Sequence, residues 1–270
     1  MNRKIRSPKR YANDISTVLN ATLGINRYPI NIIEIAKEYS HHCFPEDPIT
    51  KIEGASLPGF EGALYPASKG KNRWAILYNN DLSSSGRINY TLAHEFGHYL
   101  LHRLDFPEGL QCSTQDTIRW DSLHSKIEQQ ANEFAATLLM PLDDYRKNLK
   151  EKEKATFDDI SVCAGRYEVS LIAATLRWLQ YTTRHACLVV SVDGFILWSR
   201  SSTKAYKAGI YFKSGQPLPP SSLAALNKNL NNKSVFFQHG NNVWNENETE
   251  EQAIISEKYD FTISLIYFSR

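Results

Sequence analysis

The sequence has few cysteines, only Cys43, Cys112, Cys163 and Cys187 in 270 residues, and no two of them form a Cys-x-x-Cys pair. That spacing excludes the dense disulfide framework of small secreted scaffolds and fits reduced thiols in a cytoplasm. Long apolar runs are also missing, since no stretch approaches the roughly 18 residues of a membrane span. Charge of one sign is scarce too. A net charge of +2 argues against a dedicated nucleic-acid binder whose affinity comes from neutralising phosphates, although a local basic patch stays open. Residues 1–10 carry Arg3, Lys4, Arg6, Lys9 and Arg10, but no apolar run follows. This is no secretory signal, and the stretch is expected to be a solvated, flexible tail.

What is present is an ordinary globular composition, 42% hydrophobic and 22% charged, with chain enough for one large domain or two modest ones. Residues 91–102 read Thr-Leu-Ala-His-Glu-Phe-Gly-His-Tyr-Leu-Leu-His. Their apolar residues predict a helix, on which His94 and His98 lie one turn of about 5.4 Å apart on one face. Two imidazoles so placed can share one metal ion. Glu95, about 100° round the helix, can reach a water on that ion, which is the arrangement of a zinc peptidase.

A third ligand is sought downstream. Residues 127–140 read Ile-Glu-Gln-Gln-Ala-Asn-Glu-Phe-Ala-Ala-Thr-Leu-Leu-Met and stop at Pro141, a second predicted helix. Glu128 and Asn132 share a face beside its apolar stripe, so Glu128 can complete a metal site while Asn132 orients a ligand by hydrogen bonding. Glu133 is rotated about 140° from Glu128 and competes with it for the role, and His124 in the preceding connection is a further candidate. His102 is about 12 Å along the helix from His94, too far for one ion with bonds of about 2.0 to 2.1 Å. It is expected at the helix end, or beside a ligand. Leu101 and Leu104 stand where the metzincin pattern needs Gly and His, which excludes that plan.

Around these helices the chain offers packing elements. Residues 12–23 are predicted helical up to Gly24, and a helix capped by Asn31 follows Pro29. The Pro- and Gly-rich stretch 43–66 is read as loops around short strands, and 74–78 as a strand. An edge strand beside a peptidase site can grip an extended substrate through its backbone, and 63–65 or 74–78 are the candidates. The polar connection 105–126 is read as surface loop, with a lid as the minority reading. Further on, 156–166 and 170–181 read as two helices around a short turn, with Arg177 the basic residue of the second. Then come a hairpin turning at Asp193-Gly194, strand candidates at Val235-Phe-Phe and Val243-Trp around a turn at Gly240-Asn241, a helix near 223–230 and a final strand over 261–268.

Arg87-Ile-Asn-Tyr-Thr-Leu-Ala-His-Glu-Phe-Gly-His-Tyr-Leu-Leu-His, paired with Ile127-Glu-Gln-Gln-Ala-Asn-Glu-Phe-Ala-Ala-Thr-Leu-Leu-Met-Pro, resembles the ImmA/IrrE family of bacterial metallopeptidases. The likeness extends over about 29–179 and takes in Gly62-Ala-Leu and Tyr167-Glu-Val-Ser-Leu-Ile-Ala-Ala-Thr-Leu-Arg. It implies an α+β chain with a zincin-like domain, zinc held by His94, His98 and Glu128, and Glu95 as catalytic base. It further implies a helix-turn-helix transcriptional repressor as the protein substrate, whose cleavage relieves repression. One departure is Gln130, which stands where a second glutamate is common. The expected layout is the tail 1–10, a metallopeptidase domain 11–145, a helix-turn-helix-like segment 146–182 and a small sheet domain 183–270. In some relatives the last region resembles a GAF-type sensor. A structural or dimerising domain fits its residues equally. A reading of another class stays beside this one: a regulator that keeps the fold as a scaffold and binds repressor or DNA without cutting.

Overall fold

The computed structural model describes residues 6–67, 72–82, 84–113, 123–226, 233–256 and 260–269, with backbone alone for 111–113 and 123–124. The chain forms two compact units. The first is Met1–Leu142 with Arg166–Ser170, and the second is Asp143–Gly165 with Leu171–Arg270.

The first unit opens with α1 (Pro8–Leu23), so residues 8–10, assigned to a tail by their charge, are its first turn. Proline at the first helical position leaves unmade only a hydrogen bond that is lost there anyway. Then come α2 (Ile32–Cys43), capped as expected by Asn31 accepting from the Glu34 N–H, and the strands β1 (Ile49–Ala55), β2 (Phe60–Pro66) and β3 (Trp74–Asn79). Next are α3 (Ser85–His102), β4 (Leu110–Ser113) and α4 (Leu123–Leu139). The sheet runs β1-β3-β2-β4, with β1 parallel to β3 and the other pairs antiparallel.

That order corrects the edge-strand expectation. Both 63–65 and 74–78 are interior, and the edge beside β2 is β4, inside the connection read as loop. Its four residues are too short and polar for alternation to show. Much of that connection, 114–122, lies outside the described residues, and so does the lid reading placed there.

Helices α3 and α4 pack against each other through Phe96 and Phe134, ring centroids 5.5 Å apart and edge-on. Gly97 makes the approach close, because a Cβ there would stand 3.0 Å from Phe134 and 3.3 Å from the Ala131 backbone. The returning segment 166–170 belongs to this unit: the Tyr167 ring meets Tyr28 edge-on at 5.0 Å and Asn89 donates to the Glu168 carbonyl at 3.4 Å.

The second unit holds α5 (Leu142–Asn148), most of α6 (Phe157–Tyr167), and α7 (Leu171–Leu179). Arg177 of α7 is buried and donates to Gln180 at 2.7 Å, with Ala174, Thr175 and Trp178 buried beside it. So α7 is a packing helix, and the basic residue that a DNA-reading role needs is turned inward. The hairpin β5 (Ala186–Val192) and β6 (Phe195–Ser201) turns at Asp193-Gly194 as expected. It is followed by α8 (Thr203–Lys207), α9 (Leu223–Leu226), β7 (Phe237–His239), β8 (Thr249–Ser256) and β9 (Phe261–Phe268). They build an antiparallel sheet in the order β6-β5-β9-β8-β7.

Val243-Trp is not a strand. The strand after the turn is β8, which reads as polar because Glu251 lies within it, fully buried. Its carboxylate accepts from His239, Trp244 and Ser264, each at 2.8 Å, and from the Leu223 N–H at 2.9 Å. A buried carboxyl group so fully hydrogen-bonded is tolerated where an unpaired one is not. Tyr211, Phe212, Trp244 and Asn245 line a cavity of about 350 Å³ in this unit. Among the described residues no helix is long and apolar enough to cross a membrane.

Candidate active site

Helix α3 starts where Ser84 accepts from the Arg87 N–H, and Arg87 reaches across to pair with Glu61 of β2. From that anchored end the helix carries Tyr90, His94, His98 and His102 down one face at four-residue spacing. Packing α4 alongside brings Glu128 to the same face. The His94 Nε2 lies 2.9 Å from the His98 Nε2 and 3.0 Å from Glu128 Oε2, and the His98 Nε2 lies 3.2 Å from Glu128 Oε1. Four-coordinate zinc with bonds of about 2.0 to 2.1 Å sets its ligands roughly 3.3 Å apart. The three groups, all within 4.8 Å of one another, therefore form a set that can hold one metal ion.

Charge and burial agree with that geometry. Burial opposes ionisation of Glu128, but hydrogen bonds from His94 and His98 outweigh it and hold the carboxyl well below its ordinary range. Burial pulls His98 down to about 4. At His94 burial acts the same way, yet the Glu128 hydrogen bond and the Glu95 charge overcome it and leave the imidazole more basic than usual.

Around the three, neighbours fix ring orientation. The His94 Nδ1 lies 3.1 Å from Asn132 Oδ1, which also accepts from the Tyr90 hydroxyl at 3.2 Å. The His98 Nδ1 lies 3.0 Å from the His102 Nδ1, and the His102 Nε2 lies 2.9 Å from Gln130 Oε1. Glu133, the competitor for the ligand role, points away and pairs with Lys9 at 3.1 Å. The His124 side chain lies outside the described residues.

Glu95 is fully buried under β2. A Cβ at Gly62 would stand 2.8 Å from Glu95 Oε1 and 2.7 Å from Thr91 Cγ2, so only glycine lets the strand pass over the carboxylate. Reading the sequence gave no site role to Tyr90, and it named Gly62 and Gln130 only within the family likeness. Tyr90 carried a usable signal, since it stands one turn before His94 on the same helix. The other two make contacts that only the packing of β2 and α4 on α3 creates.

Residues 46–179 match the family described as peptidase M78, IrrE N-terminal-like domain, and the matched stretch contains both metal-facing helices. The chain carries a peptidase M78 domain of the ImmA/IrrE family. The match supports a metallopeptidase, and within it the buried His94, His98 and Glu128 are a group that could hold a metal ion. No curated protein matches the sequence. Among solved structures, a Mycobacterium tuberculosis transcriptional regulator is similar in fold over 97% of this chain and 82% of its own, with 11% identity and a TM-score of 0.51. At that identity the likeness concerns the fold and nothing more.

Proposed function

We propose that the protein is a zinc-dependent endopeptidase that cleaves a helix-turn-helix transcriptional repressor, relieving repression. The observation that carries the chemistry is the convergence of the two imidazoles and one carboxylate to about 3 Å, with Glu95 one residue after His94. His94, His98 and Glu128 would hold the ion, and zinc bound there would supply Lewis acidity to a water and to the scissile carbonyl. Glu95, kept under Gly62, accepts the water's proton as the water attacks and delivers it to the leaving amine nitrogen. Asn132 and His102 orient His94 and His98. The regulatory substrate rests on the family and accords with a fold neighbour described as a transcriptional regulator.

The test is to purify the chain, measure bound zinc and mix it with helix-turn-helix repressors from the same genome. A discrete product is expected that disappears with chelator. Glu95→Gln is expected to keep zinc and lose about 10²- to 10⁴-fold in turnover, the range for a general acid–base group. Release of the repressor without any cut, equal in Glu95→Gln, overturns the peptidase reading in favour of a scaffold that only binds.

A further inference from the structure

The hydrogen-bond chain behind His98 has a direction. In the zinc-peptidase reading, on which this inference rests, His98 offers its Nε2 to the ion, since that atom faces His94 Nε2 and Glu128. A neutral imidazole that ligates through Nε2 carries its proton on Nδ1. That proton points at the His102 Nδ1, 3.0 Å away, which must then be an acceptor. His102 is left with its proton on Nε2, directed at Gln130 Oε1 at 2.9 Å. An amide oxygen at the end of the chain thus selects two tautomers in sequence. On the other side the His94 Nδ1 meets Asn132 Oδ1, again an amide.

Groups that accept from metal-bound histidines set ring orientation and ligand basicity. A carboxylate in that place adds negative charge to the ligand, whereas an amide orients the ring without adding charge. Both histidines here are backed by amides, one directly and one through His102. We propose that Gln130 is a positioning residue of the metal centre, which through His102 fixes the tautomer of His98 while leaving the centre short of negative charge. The site then binds zinc less tightly than a carboxylate-backed one would, and draws more electron density from what the ion touches.

The experiment measures zinc affinity of the full chain by competition with a chromogenic chelator, for wild type, Gln130→Leu and Gln130→Glu. Removing such an outer partner typically costs 10- to 100-fold in metal affinity, so Gln130→Leu is expected to bind about tenfold more weakly. Gln130→Glu is expected to bind more tightly than wild type. Nitrogen-15 spectra of histidine-labelled, zinc-loaded protein are expected to show His102 protonated on Nε2 in wild type, with that signature lost in Gln130→Leu and kept in Gln130→Glu. Gln130→Met, closer in shape, takes the place of Leu if that variant does not fold. Wild-type affinity in both Gln130→Leu and Gln130→Glu, with the His102 tautomer unchanged, overturns the inference and leaves the zinc reading intact. Failure of the wild-type chain to bind zinc removes the zinc reading, and this inference with it.

Discussion

Burial weakens the basicity of His94 and His98 alike, and Glu128 lies within 3.2 Å of each, yet the outcomes differ. His94 gains from the Glu128 hydrogen bond and from the Glu95 charge, and is raised above its ordinary 6.5; His98 falls to about 4. Without metal, the first proton the site takes up goes to His94, beside Glu128, while His98 stays neutral near pH 7. Below the raised pKa of His94, a zinc ion entering the site would have to displace that proton. Zinc affinity is therefore expected to fall as pH drops through the raised pKa of His94, with release approaching one proton per zinc below it. Calorimetry in buffers of different ionisation heat reads that number, and binding with no pH dependence between 5 and 8, on the order of the ordinary histidine range, counts against the assignment. The same sign governs the metal-free fold: the His94 contribution is present below pH 6.5 and is lost as pH rises through the raised pKa.

At the scale of elements, the site is a helix pair with a strand laid over it. Strand β2 crosses α3 at Gly62, and a methyl group there meets Thr91 and Glu95 inside ordinary contact distance. Gly62→Ala is expected to displace the Glu95 carboxylate without touching a metal-facing atom. Turnover should then fall by up to about 10²-fold, the scale of a 1 Å misplacement, at unchanged zinc affinity. Equal loss of both would mean that the helix pair itself had been disturbed. The helices were legible in the sequence because their signals are local: apolar spacing, a cap at Asn31, a stop at Pro141, and two histidines one turn apart. Rotation about the helix says only that Glu128 and Glu133 cannot face one ion together; packing sets Glu128 beside His94 and His98 and turns Glu133 outward to Lys9. Sheet order was not legible, because strand neighbours depend on pairing between distant segments. The four residues of β4 and the glutamates of β8 also break the alternation by which strands are recognised.

For the whole molecule, the path of the chain matters as much as its elements. The expected layout cuts the chain at 145 and again at 182, whereas compactness divides it at Leu142 and returns Arg166–Ser170 to the first unit. Tyr167, almost wholly buried, is the anchor of the return through its contact with Tyr28. Tyr167→Ala in the full chain is expected to cost about 3 to 5 kcal/mol, as for large aromatic truncations. Hydrogen exchange should place the lost protection around Tyr28 and the start of α3; loss confined to β5, β8 and β9 would assign Tyr167 to the other unit instead. The return also constrains inheritance. Recombination that exchanged the sheet unit at a single junction near 142 would carry Tyr167 and Val169 away with it, leaving the Gly86 face of α3 uncovered. A donor sheet unit is acceptable only if it brings an equivalent of those five residues, so the two units are expected to descend together rather than to be shuffled singly.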